Sequence, residues 1–240
     1  NIEVIVVDNY SKDKTRDIVE SYGAKIFQLN AERTLAKNFG LEKAGGKYVC
    51  FIDSDMELTR NVIEECINLM ENDEKIGGVI IPERSLGRSF WVKVRDFERS
   101  FYAETEIESA RFFRRNLAEK ANGFDEDVIA FEESTLPQKI KKMGYSVKAR
   151  VNAEIFHHEE FFSLRKWLEK KFYYGKSVSK YREKFSEYAS KQMNILYRFS
   201  IFFKNKRFYS KPCLAIGVII LKILEYFSAG LGCLISEIKE

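Results

Sequence analysis

Tyr48-Val49-Cys50-Phe51-Ile52-Asp53-Ser54-Asp55 is an unbroken apolar run that ends in two carboxylates. Aromatic and β-branched residues without polar alternation predict a strand covered on both faces, as parallel strands between helical layers are. Gly45-Gly46 leads into it. In open α/β sheets the carboxyl ends of the strands border the ligand crevice, so Asp53 and Asp55 are expected to emerge there together, on the same side. Two carboxylates so placed repel each other unless a cation lies between them. A hard divalent ion, Mg2+ or Mn2+, bridging to phosphate, suits such oxygen donors. The same residues can equally form a turn that caps a helix beginning near Thr59, and Asp-x-Asp by itself leaves both readings open.

Outward from this strand, strands and helices alternate. Residues 2–7 are β-branched and close on Asp8-Asn9-Tyr10-Ser11, which puts Asp8 at another strand's carboxyl end. A helix over 11–22 stopped by Gly23, a short strand over 24–29 and a helix over 34–44 follow, with Leu35 and Phe39 expected inward. This order predicts a parallel α/β layered sheet. Downstream, helices are expected over 62–70 and 89–109, and strands over 77–82, 112–115, 145–150 and 153–156. Glu132 and Glu133 precede a helix that ends at Gly144, and the positive end of a helix dipole is reason enough for them. His157 and His158, the only histidines, follow a strand and meet Glu159 and Glu160. That setting allows an ordinary structural role or a metal or phosphate contact.

With 240 residues, 45% of them hydrophobic, the chain can bury one substantial core and carry an appendage. Cys50, Cys66, Cys213 and Cys233 form no C-x-x-C pair and have no histidine at zinc-finger spacing, so neither a disulfide framework nor a structural zinc site is expected, and a reducing compartment fits. The first residues show no secretory-signal pattern. The net charge of +4 hides an uneven distribution: residues 161–211 carry +11, residues 1–160 carry −6 and residues 212–240 carry −1. Trp167, Tyr173, Tyr174 and Tyr181 are interleaved with Lys170, Lys171, Lys176 and Lys180 in the basic stretch. Anionic lipid headgroups or a lipid-linked phosphate suit it, at about 1 kcal/mol per basic residue near such a surface. Helices packed under a catalytic domain with solvated charges explain it too. No nucleic-acid module accompanies it, so no nucleic-acid partner is expected.

Residues 213–235 are apolar and long enough to span a bilayer, yet Lys222 and Glu225 sit in the middle. Each charge at a bilayer centre costs about 2.5–3.5 kcal/mol on insertion scales. A helix lying in the membrane interface, or two half-helices broken near 228–232, is therefore expected ahead of a span, with burial in a homodimer contact as the soluble alternative.

The order of motifs resembles family 2 glycosyltransferases of the GT-A fold over most of residues 1–180. The matching pieces are Val6-Val7-Asp8-Asn9-Tyr10-Ser11-Lys12-Asp13-Lys14-Thr15, Ala36-Lys37-Asn38, Ala44-Gly45-Gly46-Lys47-Tyr48-Val49, Asp53-Ser54-Asp55, Gly123-Phe124-Asp125-Glu126 and Glu132-Glu133. The resemblance implies an α/β protein with a Rossmann-like mixed, mostly parallel sheet flanked by helices. It divides the chain into a GT-A domain over 1–160 that lacks the family's first strand and nucleoside loop, a basic aromatic helical extension over 161–211, and an apolar helix or hairpin over 212–240. It further implies metal-dependent, inverting transfer from a UDP- or GDP-linked sugar to an acceptor such as a polyprenyl phosphate, at the cytoplasmic face of a membrane. By the same resemblance Asp8 would meet the nucleobase, Lys37 and Asn38 the nucleotide, and Asp53 the ribose or the metal. Asp55 would bind the metal, with His157 as a further metal or diphosphate contact. Glu133, standing where the family usually has Asp, or Glu132 beside it, would take the acceptor's proton. A non-catalytic, membrane-associated binding or scaffold protein that retains a truncated fold is the alternative, and a nucleotidyltransferase would leave the later motifs unexplained.

Overall fold

The structure, a computed structural model, describes residues 1–238; the last two residues of the apolar segment expected over 212–240 lie outside the described residues. The chain begins with β1 (Ile5–Asp8), α1 (Thr15–Ser21) and β2 (Lys25–Gln28), and the two strands pair in parallel with Val6 opposite Ile26. α2 (Arg33–Lys43) buries Leu41 and sets Phe39 edge-on against Phe27, whereas Leu35 faces outward. The central strand β3 (Tyr48–Cys50) is followed at once by a short β4 (Met56–Leu58), which periodicity did not reveal, and by α3 (Val62–Asn72). Next come β5 (Gly78–Ile80), β6 (Glu83–Leu86), α4 (Phe90–Arg99), β7 (Phe112–Arg114) and α5 (Arg115–Lys120). α4 opens with Ser89 accepting from the Val92 amide and ends at Arg99, ten residues earlier than expected; Glu104, in the turn that follows, takes a left-handed conformation.

A 3-10 turn (Glu132–Ser134) leads into α6 (Thr135–Lys142), then β8 (Ala149–Arg150) and β9 (Ile155–His158). Both histidines therefore lie within a strand, not after it. The helical remainder is α7 (Leu164–Gly175), α8 (Val178–Lys184), α9 (Ser186–Gln192), α10 (Ile195–Phe203), a 3-10 turn (Lys206–Ser210) and α11 (Pro212–Glu237).

The strands form a four-stranded sheet in the order β3-β7-β5-β8, a three-stranded sheet in the order β4-β9-β6, and the separate β1-β2 pair. The sheet is mixed and flanked by helices, as expected, with parallel and antiparallel pairings equally represented. β3 pairs antiparallel with β7, which lies between it and β5 and runs against both. Its two faces are both covered. Phe113 and Val49 point into a core closed by Leu136 and Ile140 of α6, while Phe112 points the other way, into one closed by Val62, Cys66 and Met70 of α3. Adjacent residues of a strand serve opposite faces, so the unbroken apolar run is explained. Among the described residues neither the second edge of β1 nor that of β3 carries a strand partner, and both border one cavity.

A third core joins α4 to the C-terminal helices through Phe97, Phe101, Phe202, Phe208, Val218 and Leu221. α11 is one continuous helix, so the expected break near 228–232 is absent. Close backbone approach replaces it: a Cβ on Gly232 would stand 2.1 Å from the Phe172 carbonyl oxygen, and one on Gly175 2.0 Å from that of Ala229. The Lys222 amine lies 2.6 Å from Glu225 and 2.5 Å from Glu98 on α4, all three side chains being buried. Trp167 of α7 donates to Glu225 at 2.6 Å, and the Tyr102 hydroxyl donates to Glu98. These charges face the protein. The exposed face of α11 is apolar instead, with Ile216, Ile220, Ile223, Phe227, Leu231 and Leu234 at helical spacing.

Candidate active site

The end of β3 delivers the two aspartates to different neighbours. Asp53 lies 3.8 Å from Lys37 and 3.7 Å from Arg111, and although burial opposes ionisation, Lys37, Arg111 and Arg33 hold its pKa below the usual carboxylate range. Asp55 is the more exposed of the pair and meets His157 Nε2 at 3.1 Å across the β4–β9 pairing. His157 Nδ1 lies 3.1 Å from an Arg99 nitrogen. A guanidinium only donates, so Nδ1 accepts and Nε2 carries the proton given to Asp55. Burial first, and Arg99 second, lower the His157 pKa, which keeps the ring neutral near pH 7. Among the described residues no three carboxylate, imidazole or thiol groups converge as a ready metal cage.

Sequence reading missed Glu83, Arg99 and Arg111. Arg111 donates to Glu83 at 2.8 Å, and Arg99 pairs with the same carboxylate. Glu83 thus ties the Asp53 side of the site to the His157 side. Its only sequence signal is a charge just after the apolar run closed by Pro82, and a charge beyond a strand has too many ordinary explanations.

The acidic pair comes from the turn before α6. Phe131 adopts a left-handed conformation, φ 64°, immediately ahead of it, which costs about 1–3 kcal/mol for a bulky residue. Its ring stacks on buried Tyr181 with centroids 5.1 Å apart, which fixes that backbone and aims Glu132 and Glu133 into the cavity. Glu132 lies 3.0 Å from Arg33 and 3.6 Å from Lys37. Burial disfavours its charge, yet the hydrogen bond with Glu133 and these two cations keep it ionised. Among the described residues Glu133 makes no ion pair of its own, and the pull of Lys37 is the weakest influence on it. Burial, then the negative charge of Glu132, push its pKa up to about 7.

One cavity of about 1,720 Å³ collects Lys37, Asp53, Asp55, Glu132, Glu133 and His157. Asp8 and Asn38 are not among the residues lining it. Asp8 is fastened within its own turn, accepting from the Ser11 amide at 3.1 Å and the Ser11 hydroxyl at 2.5 Å. Asn38 clamps the Gly-Phe-Asp-Glu turn, accepting from the Phe124 amide at 2.8 Å and donating to the Phe124 carbonyl at 3.0 Å. Gly123 there has φ +59° and leaves no room for a Cβ against Asn38. His158 pairs with Glu57 at 2.9 Å on the outer side of β9.

Residues 1–130 match the profile of Glycosyl transferase family 2. The probable glycosyltransferase YdaM of Bacillus subtilis is 24% identical over 181 residues, covering 61% of this chain and 41% of that protein. The putative teichuronic acid biosynthesis glycosyltransferase TuaG of the same organism is 37% identical over 76 residues, covering 28% of this chain and 30% of that one. The chain thus spans less than half the length of these relatives. In three dimensions it is similar to the mannosyltransferase PcManGT from Pyrobaculum calidifontis, solved in complex with GDP-Man and Mn2+, with a TM-score of 0.65 at 18% identity over 97% of this chain and 77% of that one. A profile match over more than half of the sequence, on a GT-A fold whose β3 end and acidic pair line one cavity, leads to a single assignment: the chain belongs to glycosyltransferase family 2.

Proposed function

We propose that this chain transfers a sugar from a UDP- or GDP-linked donor to an acceptor, with inversion at the anomeric carbon, at the cytoplasmic face of a membrane. The observation that carries this reading is the meeting in one cavity of Asp55 beside a neutral imidazole, a cationic rim of Arg33, Lys37 and Arg111, and a glutamate whose pKa is raised to about 7. The GDP-Man and Mn2+ bound by the Pyrobaculum protein are in keeping with such a donor.

The residues fit a divalent cation. Asp55 offers a carboxylate to the cavity, Asp53 a second one next to it, and His157 can join once Arg99 releases Nδ1. Mg2+ or Mn2+ held there would supply Lewis acidity toward the departing diphosphate. Arg33, Lys37 and Arg111 add fixed positive charge, and their pairing with Glu132 and Asp53 holds them in place before any donor arrives. Glu133, ionised above about pH 7, accepts the acceptor hydroxyl's proton as the new C–O bond forms. The sugar–phosphate bond breaks on the opposite face of the anomeric carbon, which inverts it. With an anionic phosphate as acceptor no proton has to move, and Glu133 then serves to position it. Glu132, neutralised by Arg33 and Lys37, is the weaker base.

The outward apolar face of α11 and the exposed Lys204, Lys206, Arg207 and Lys211 just before it support a monotopic seat on an anionic leaflet. The decisive assay incubates the protein with UDP- and GDP-linked sugars and Mn2+ and follows release of the nucleoside diphosphate. Asp55→Ala is expected to lower turnover at least 100-fold with unchanged thermal stability; calorimetry that finds no affinity for either nucleotide would overturn the reading. Flotation with anionic liposomes tests the membrane seat. A protein that stays in solution as a dimer would assign the α11 face to a second copy.

A further inference from the structure

The turn that carries Glu132 and Glu133 lies just beyond the residues matched by the family profile, 1–130, and its partners lie farther on still, in α8 and α9. Ser134, which follows the acidic pair, and Gln138 stand four residues apart and so share one face at the start of α6. They hold opposite ends of a pair formed by Tyr181 and Gln192. Gln138 Nε2 donates to the Tyr181 hydroxyl at 2.7 Å, that hydroxyl donates to Gln192 Oε1 at 2.5 Å, and Gln192 Nε2 donates to Ser134 Oγ at 3.1 Å. All four side chains are buried.

One acceptor fixes every direction in this chain of hydrogen bonds. Gln192 Nε2 also reaches the Glu106 carbonyl at 2.6 Å, and a carbonyl only accepts. The amide nitrogen must therefore face Glu106 and Ser134, which turns Oε1 to Tyr181; the Tyr181 hydroxyl then has to donate there and accept from Gln138. Glu106 is itself held, its carboxylate accepting from Lys191 at 2.8 Å and from Tyr197 at 2.5 Å, and Ser109 shares a hydrogen bond of 2.8 Å with Ser134. A second grip comes from the end of α8. Lys184 donates to Asp125 at 3.0 Å and to Asp127 at 2.6 Å, the Asp125 amide donates to the Thr135 hydroxyl at 3.0 Å, and that hydroxyl donates to the Glu132 carbonyl at 2.8 Å. Core packing alone does not call for this network. Val128, Phe131, Phe185 and Ala189 already surround the Tyr181 ring, a place that phenylalanine would fill as well. The Tyr181 hydroxyl and the Gln192 amide add direction, not burial.

We infer that Tyr181 and Gln192 are positioning residues for the proposed base, holding Ser134 and with it the turn that keeps Glu133 buried against Glu132. The inference rests on the transferase reading for what Glu133 does, whereas the hold on the turn stands apart from it. The groups within electrostatic reach of Glu133 are Glu132 beside it, Lys37 of α2, Tyr174 of α7 and Tyr181 itself. A looser turn admits water and parts the two carboxylates. Both causes of the raised Glu133 pKa then weaken, so its titration moves down in pH.

Infrared titration of the full chain can follow the carboxyl band that Glu133→Gln removes. Calorimetry with UDP and GDP in the presence of Mn2+, and hydrolysis of UDP- and GDP-linked sugars, are measured on the same variants. Tyr181→Phe keeps the ring and loses the hydroxyl; it is expected to lower the Glu133 titration by about one pH unit and turnover by about 10- to 100-fold, with nucleotide affinity unchanged. Tyr102→Phe removes another buried hydroxyl, the one given to Glu98, and is expected to cost stability while leaving titration and turnover as they are. A Tyr181→Phe protein that folds and keeps the wild-type titration and turnover would overturn the proposal. Should it not fold, Gln192→Met, of like length and without the amide, carries the same expectations and the same refutation. A shifted titration in a protein that binds neither nucleotide would uphold the hold on the turn and overturn the transferase reading; nucleotide binding with an unshifted titration would do the reverse.

Discussion

Two ion networks in this protein use the same chemistry to opposite ends. Around the cavity, Lys37, Arg33 and Arg111 share Asp53, Glu132 and Glu83 at distances from 2.5 to 3.8 Å, and several of these groups remain partly open to solvent. Along its inner wall, Lys222, Glu98 and Glu225 lock together within 2.6 Å, each side chain less than a tenth exposed. The open network can exchange partners when a charged ligand arrives, since water and ligand oxygens compete for its cations. The closed one cannot, because separating any pair leaves a bare charge in the interior. What a carboxylate does here is settled less by its identity than by whether a third party can reach it.

Glu133→Gln attacks the open network and is expected to have the largest effect, about a 10²- to 10⁴-fold loss in kcat for a hydroxyl acceptor. The sign of its pH dependence follows from a raised pKa. Wild-type kcat should rise with pH through an inflection near 7, where the carboxyl loses its proton, and the variant's profile should be flat there. An unchanged inflection in the variant would remove Glu133 from the role of base. Lys222→Met breaks the closed network and should cost about 3–5 kcal/mol of stability, read by denaturant unfolding, because Glu98 and Glu225 are left buried without a cation. Replacing all three charges with apolar residues of like volume should restore most of that loss, which a simple packing role for Lys222 would not predict. At the weak end stands Arg165, exposed and paired with Glu169 one helical turn away; Arg165→Ala should shift stability by less than about 0.5 kcal/mol. A larger shift would mean that solvent access is not what separates these networks.

Much of the fold could be read from residue order. The apolar run before Asp53 announced a strand buried on both faces, and Val49 and Phe112 with Phe113 show why: alternate side chains enter two different cores. Short strands were harder. β4 and β6 are three and four residues long and carry Glu57, Glu83 and Arg84, so their signal is a pairing with β9, which no local pattern contains. The pair Lys222 and Glu225 was visible from its spacing, while its third member, Glu98, lies more than a hundred residues away in sequence.

The family, the alternation of strands and helices, and the choice of Asp53, Asp55, Glu132, Glu133 and His157 as candidates were all legible along the chain, because each rests on local order and spacing. That Asp55 meets His157 while Asp53 meets Lys37 and Arg111, that Asn38 holds a turn, and that α11 turns its charges inward and its apolar face out came from folding in three dimensions. Such pairings depend on side chains brought together from distant segments, and the free energy of a charge depends on what stands next to it in space, which position along a chain does not specify.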